Sequence, residues 1–497
     1  MRLKPLAALM MGLTVPVAVQ AASPLTALSQ IGGTYFHSTT GGFNAEIAAF
    51  DALTNTLWIS GVTGVDVLNV TSGGLTFNSR IDLSSFGAIN SISIHNGVAA
   101  FAIESTTNRE LPGVVQFYDT TTRSLTGGIN TVTVGSLPDM LTFTADGSKL
   151  LVANEGTPNA YGSATDPVGS VSIIDMNTRS VTNVSLGGAI PTLGTGLRSG
   201  IGMNYEPEYI AVNQAGTQAW VTLQEHNAIA TLDLTTNQFT GITGLGLKDY
   251  SLSGNAIDPS NNAPIQLTNV NLKGAYQPDS IVAYVVGGQT YLVMANEGDA
   301  REDDGDVDRA GTLFGTAAPL NRINVIKDLS SASDLVSMGG RSFSIRDANG
   351  NIVFDSGNVL ESEAILRGIY DDGRSDDKGV EPEGVALQTI AGRTFAFIGL
   401  ERTSKGAVAV FDITDPANAS FVDMIVTDGT NRPEGLVTFV KDGMVYLAVS
   451  NEGLGNITAT GMSTALYSLA PVPEAETYAM MLAGLGLVGW AVRRRKQ

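Results

Sequence analysis

Five stretches of this chain repeat one arrangement of residues. Pro278-Asp279 is followed by an apolar run, a Gly287-Gly288 turn, a second apolar run and then Asn296-Glu297-Gly298. Pro138-Asp139 leads through Asp146-Gly147 to Asn154-Glu155-Gly156, and Pro207-Glu208 leads through Gly216 to Gln224-Glu225. Pro382-Glu383 leads through Gly392 to Leu400-Glu401-Arg402, and Pro433-Glu434 through Asp442-Gly443 to Asn451-Glu452-Gly453. From the proline to the closing glutamate the spacing is 17 to 19 residues in every copy. Two runs rich in Val, Ile and Tyr around a glycine-bearing turn read as a β-hairpin. Self-similarity at a fixed spacing marks a repeat architecture.

Weaker copies stand at 45–60 and 90–104, and most copies are followed by two further strand-like runs, as at 406–413 and 421–427. Seven units of about four strands predict an all-β chain, a seven-bladed β-propeller of four-stranded antiparallel blades. A β-sandwich array would not repeat one hairpin at this spacing. The polar segment 23–42 is expected to supply a strand that closes the ring against the last blade.

In such a blade the first strand starts, and the second ends, at one rim. The Pro-Asp/Glu pairs and the closing glutamates are therefore expected on one face. The long loops 156–168, 187–205, 241–276, 299–339 and 358–380 fall on it too, and the opposite face receives tight turns such as Asn349-Gly350. Long loops on a rigid scaffold are where function concentrates. Gly61 stands where the other copies carry a glutamate, so the first blade is expected to give no carboxylate from its second strand.

The ends differ from the body. Residues 1–21 carry Arg2 and Lys4 before an apolar core at 6–19, the pattern of a secretory signal peptide, with a buried helix as the alternative. Residues 22–470 form the expected propeller. Residues 471–497 hold Pro471-Val472-Pro473-Glu474, an apolar stretch at 477–492 and Arg493-Arg494-Arg495-Lys496. Sixteen apolar residues are marginal for crossing about 30 Å of hydrocarbon, and the basic end would stay cytoplasmic. The alternative is a buried terminal helix. The chain has no cysteine, which excludes disulfides, thiolate metal sites and thiol nucleophiles. Its formal net charge of −20 argues against nucleic acid and anionic lipid and is compatible with divalent cations, or with solubility alone.

Asp139, Glu155, Glu208, Glu225, Asp279, Glu297, Glu383, Glu401, Glu434 and Glu452 are expected to ring one mouth of the channel. Carboxylates in close array repel unless they are protonated or bridged by cations. Hard oxygen donors, no cysteine and three scattered histidines suit Ca²⁺ or Mg²⁺, Ca²⁺ ahead, rather than zinc. The candidate metal ligands are Glu155, Glu225, Asp279, Glu297, Glu383, Glu401, Glu434 and Glu452. The alternative is a structural clasp in which each glutamate accepts backbone amides of the adjacent blade. Asp304, Asp306 and Asp308 resemble the start of an EF-hand loop, but Arg309 and Gly315 occupy its sixth and twelfth positions. A solvated acidic loop is expected there. The mixed-charge run 371–378 is either a salt-bridged surface loop or part of the site. Arg301, Arg374 and Arg402 are the candidate catalytic residues, with Lys378 and Arg432 beside them. Guanidinium forks next to a carboxylate-held metal could engage a phosphoester. No Ser-His-Asp spacing and no Walker-type glycine loop is present.

Leu137-Pro138-Asp139-Met140-Leu141, 151–156, Glu206-Pro207-Glu208-Tyr209-Ile210, 296–301, 340–345 and 374–384 together resemble the choice-of-anchor I family over about residues 30–470. That resemblance implies an extracytoplasmic β-propeller with an interchangeable C-terminal anchor. Some relatives are described as atypical alkaline phosphatases, and others resemble a cell-surface glycoprotein associated with biomineralisation. The tail resembles a PEP-CTERM sorting signal, which implies an exosortase-type enzyme as partner and membrane attachment through the C-terminal helix. Three functions are therefore expected in turn: an exported periplasmic, cell-surface or extracellular propeller that binds cations or ligands, a metal-dependent phosphoesterase, or a matrix scaffold that travels with exopolysaccharide.

Overall fold

The computed structural model describes residues 25–38, 45–161, 165–198, 204–301, 305–453 and 462–471. The expected signal peptide at 1–21 and the apolar stretch at 477–492 lie outside the described residues. Among the described residues no helix is long and apolar enough to cross a membrane.

Strand after strand is apolar without a polar face, as in Leu292-Val293-Met294-Ala295. The reason lies in the packing. Successive side chains of a strand point to opposite faces, and here both faces are covered. Leu292 and Met294 pack with Trp220 and Ile229 of the preceding sheet. Val293 and Ala295 pack with Ile398 and Phe411 of the following one.

The same device joins seven sheets in chain order. The first runs from Ala48–Asp51 to Gly74–Asp82, the second from Ile89–His95 to Thr131–Ser136, and the third from Pro138–Phe143 to Val181–Ser185. The fourth runs from Ile210–Val212 to Gln238–Leu245, the fifth from Ile281–Val286 to Ile352–Asp355, and the sixth from Pro382–Ile390 to Ser420–Thr427. The seventh comprises Pro433–Lys441, Met444–Asn451, Ser463–Pro471 and, from the other end of the chain, Leu25–Phe36. Apolar clusters lie between consecutive sheets, and the last cluster sets Tyr446, Ala448 and Leu466 against Leu57, Ile59 and Leu68 of the first. The fold is a β-propeller.

Closure uses the N-terminal strand. Leu25–Phe36 pairs antiparallel with Ser463–Pro471. His37 then bridges the seam: Nδ1 lies 2.8 Å from Asp66 Oδ2 in the first sheet and Nε2 lies 2.8 Å from Thr464 Oγ1 in the seventh.

Two of the long loops are not irregular. Residues 241–276 and 299–339 contribute Leu247–Asp249, Lys273–Ala275, Val307–Arg309, Asn324–Ile326 and Val336–Ser337 to an eighth, mixed sheet. It has its own apolar core of Tyr250, Ile257, Leu272, Ile323 and Val325. This corrects the expectation of a solvated acidic loop near residue 306. Asp306 is buried and its carboxylate meets Arg198 Nη2 at 2.7 Å and Arg301 Nη2 at 3.4 Å. The insertion docks, and the docked aspartate needs a cation. Asp303 and Asp304 lie outside the described residues.

Candidate functional site

The repeat's local geometry explains why its two carboxylates meet. The residue before the proline has positive φ in four copies: Leu137 (46°), Gln277 (43°), Glu381 (48°) and Arg432 (54°). L-residues pay roughly 1–2 kcal/mol for that conformation, and such strain collects at functional sites. The turn aims each carbonyl at the end of the second strand. Glu155 N–H donates to Leu137 O, Glu401 N–H to Glu381 O and Glu452 N–H to Arg432 O, all at 2.9 Å. Gly298 N–H donates to Gln277 O at 3.0 Å. First-strand start and second-strand end are thus tied together at one rim.

The asparagines beside the closing glutamates tie the strands together, and Asn154 also reaches an amide of the preceding sheet. Asn154 Oδ1 accepts from Gly135 N–H at 3.0 Å, and Nδ2 donates to Ser172 Oγ at 2.9 Å and Ser170 O at 3.2 Å. Asn451 Nδ2 donates to Val449 O and Ser463 O. Asn296 bonds Ser342 and Ser344.

Burial and mutual repulsion raise the carboxyls of Asp139, Glu155, Glu208, Glu225, Asp279, Glu383, Glu401 and Glu434 above their ordinary range. Burial raises Asp139 to about 8, reinforced by Glu155. Glu208, Asp279, Glu383 and Glu434 are also pushed well above it by burial. Each has one dominant acidic neighbour, respectively Glu225, Glu297, Glu434 and Glu452. Contact with the Glu383 side chain acts the other way on Glu434 and lowers it. Burial likewise raises Glu155 and Glu225.

One oxygen each of Glu297, Glu383 and Glu401 lies within 4.8 Å of the other two. Glu297 is held from both sides, Oε1 by Lys378 Nζ at 2.8 Å and Oε2 by Gln224 Nε2 at 2.9 Å. Lys378 Nζ also meets Glu381 Oε2 at 3.1 Å. Arg402 Nη2 is 2.9 Å from Glu401 Oε1, and Arg374 Nε is 2.6 Å from Glu381 Oε1. Glu383 Oε2 is buried without a hydrogen-bond partner. Of the eight candidate metal ligands, three are therefore gathered, with Asp279 and Glu434 close enough to be titrated by them. Glu452 stands beside Arg432, 3.9 Å from its Nη1. Glu155 and Glu225 lie on the side of the third and fourth sheets, near Glu206 and Asp299.

The three candidate catalytic arginines separate. Arg374 and Arg402 converge on Glu381. Arg301 packs over the Tyr161 ring, 5.3 Å from its centroid, and Tyr161 Oη donates to Glu206 Oε2 at 3.1 Å. The run 371–378 is more than a surface loop. Asp376, 1 % exposed, holds Arg309 and Arg322, and the segment delivers Lys378 into the carboxylate cluster. Sequence reasoning missed Glu104, Glu206, Gln224 and Glu381 as members of this electrostatic network. Glu206 and Glu381 did carry a signal, since each immediately precedes a repeat proline.

The choice-of-anchor I domain model matches residues 46–416, most of the chain. The chain belongs to the choice-of-anchor I family. A PEP-CTERM protein-sorting motif follows at residues 471–496, so this choice-of-anchor I protein is exported, bears a C-terminal anchor signal and is a client of exosortase-type sorting. Its fold is similar to the WD40 domain of Toxoplasma gondii coronin (9% identity, 90% of this chain and 87% of that one, TM-score 0.49). It is similar too to the WD40 domain of Neurospora crassa Pan2 (11%, 89% and 95%, TM-score 0.47). A third is Kuenenia stuttgartiensis hydrazine synthase (10%, 84% and 95%, TM-score 0.46). No curated protein matches the chain.

The raised carboxyls give this choice-of-anchor I domain a defined pH response. Asp139 and Glu206 are raised to about 8 and Glu401 to about 7, in each case chiefly by burial. Unfolded carboxyls titrate near 4, so the folded state binds these protons more tightly. Their contribution to stability is complete below about pH 4 and is lost as pH rises towards 8. Turn aspartates such as Asp146, held down to about 2 by Thr144 and Ser148, titrate below that window. In chelator, the melting temperature is expected to fall by several degrees from about pH 5 to about pH 8. A rising melting temperature over that window would contradict the assignment.

Proposed function

We propose that this exported propeller binds a divalent cation at its acidic mouth, with Glu297, Glu383 and Glu401 as the first ligands. The observation that carries the reading is the convergence of three carboxylate oxygens within 4.8 Å, one of them from Glu383, whose Oε2 is buried and unpartnered. An ion about 2.3–2.6 Å from each oxygen fits that separation, and such distances belong to Ca²⁺, which accepts irregular cages of six to eight oxygens. Mg²⁺ asks for a tighter octahedron. Lys378, Gln224 and Arg402 orient the ligands and limit their repulsion without occupying every oxygen lone pair. Binding would also favour the ionised forms of Glu383 and Glu434, whose carboxyls burial raises. A periplasmic, surface or extracellular site of action, with attachment through 471–497, belongs to the same reading.

Calcium is expected to raise the melting temperature with concentration, adding about 2.7 kcal/mol at a hundred times the dissociation constant. Glu383→Gln should weaken that response at least about tenfold, a loss near 1.4 kcal/mol or more, while Glu155→Gln should leave it intact. An identical melting temperature in chelator and in millimolar Ca²⁺ would remove the proposal. A second reading, metal-assisted attack on a phosphoester, is favoured by the two guanidiniums of Arg374 and Arg402 beside the same cluster. Turnover of a chromogenic phosphoester that requires Ca²⁺ and is lost in Arg402→Ala would support it, and absence of turnover would leave binding alone.

A further inference from the structure

The acidic ring stands at the mouth of an apolar bore. The residues that immediately follow Asp139, Glu208, Asp279, Glu383 and Glu434 in the chain line a cavity of about 540 Å³ that the innermost strands of all seven sheets enclose. Phe50, Ile94, Met140, Val212, Ala283 and Val437 are among its walls, one from each of six sheets, and Glu434 itself reaches its lining. The volume lies within the roughly 300–1,000 Å³ typical of small-molecule sites. Ser91, Ser93, Thr142 and Thr438 share the lining with these apolar residues, and an anion would meet the carboxyls.

Unmet polar capacity marks the charged end. Glu208, only 8 % exposed, keeps Oε2 without a hydrogen-bond partner, and so does Glu383. A buried acceptor without a donor is destabilising. A ligand that brings N–H donors and a positive charge, and has an apolar body behind them, would satisfy both features at once.

We infer that the bore takes a small amphiphilic organic cation, an alkyl- or arylalkylammonium, with its head among Glu208, Asp279, Glu383 and Glu434 and its apolar body along Ile94, Met140 and Val212. This site does not depend on the divalent-cation reading, although the two share Glu383.

The test is calorimetric titration of the full domain in chelator with octylammonium, ethylammonium and octanoate, the octyl probes below their micelle concentrations. Octylammonium should bind with a saturable heat at one site per chain. Ethylammonium should bind at least about a hundredfold more weakly, since each buried methylene contributes about 0.8 kcal/mol. Octanoate should not bind. Ala283→Phe, which fills the bore without touching a carboxyl, should abolish octylammonium binding while calcium still raises the melting temperature. Should that variant not fold, Glu208→Gln leaves the bore open and should weaken octylammonium about tenfold. No binding of octylammonium, equal binding of octanoate, or binding unaffected by both variants would each overturn the inference. A normal calcium response alongside those results would leave the divalent-cation reading standing.

Discussion

Deleting residues 25–36 is expected to abolish cooperative unfolding and drive the protein into soluble aggregates. That strand pairs along Ser463–Pro471, with Leu28 opposite Leu469, Gln30 opposite Tyr467 and Tyr35 opposite Thr464. Ile31 and Tyr35 also pack on the cluster that joins the seventh sheet to the first. Without them, Ser463–Pro471 becomes an open edge, a row of unpaired amides and carbonyls that templates pairing between molecules. The seam would keep His37, with its contacts to Asp66, Thr464 and Met462 O. The loss should be about 5 kcal/mol or more, comparable with the whole stability of many domains. Size-exclusion chromatography and calorimetry of the deletion read the outcome directly. A peptide spanning 25–38 added in trans should restore part of the transition. A monomer with an unaltered melting temperature would show that the ring does not need this strand.

Arg341→Leu is expected to cost about 3–5 kcal/mol, the range for removing one partner of a buried ion pair. Arg341 is 1 % exposed and Glu361 is fully buried. Its guanidinium donates to Glu361 Oε1 at 3.1 Å, to Asp258 O at 3.2 Å, and to Ser375 O and Asp377 O at 2.8 Å. One side chain thus ties the helix Val359–Leu366 to two insertions, including the run that carries Arg374 and Lys378. Lysine cannot replace this fork, because a point ammonium does not span four acceptors in one plane. Arg341→Leu combined with Glu361→Leu should recover a large part of the loss, since no buried carboxylate is then left alone. Denaturant unfolding of the two single variants and the double one gives the coupling. The single variant should also weaken any calcium response, because Lys378 would no longer be delivered to Glu297. Stability within about 0.5 kcal/mol of the parent, the range of ordinary surface changes, would contradict this account.

What the sequence determined by itself is the repeated hairpin and its consequences. Alternation of side chains along a strand, turn glycines and the Pro-to-Glu spacing are local. They place Asp139 and Glu155, and likewise Glu383 and Glu401, at one rim whatever the rest of the chain does. They also pointed to the N-terminal segment as the closing strand. Which of those carboxylates meet was another matter. Lys378 reaches Glu297 across 81 residues and Gln224 reaches it across 73. Such contacts depend on how insertions pack, and insertion length carries no information about docking. Arg301 was grouped with Arg374 and Arg402 because all three flank repeat ends, yet a docked eighth sheet draws it to Asp306 and Tyr161. Asp306 itself looked solvated because its partner Arg198 lies 108 residues away. Local pattern sets the scaffold because each strand's faces are decided by its own residues. The site was decided only in three dimensions, because burial and distant counter-ions choose which charges share a cavity.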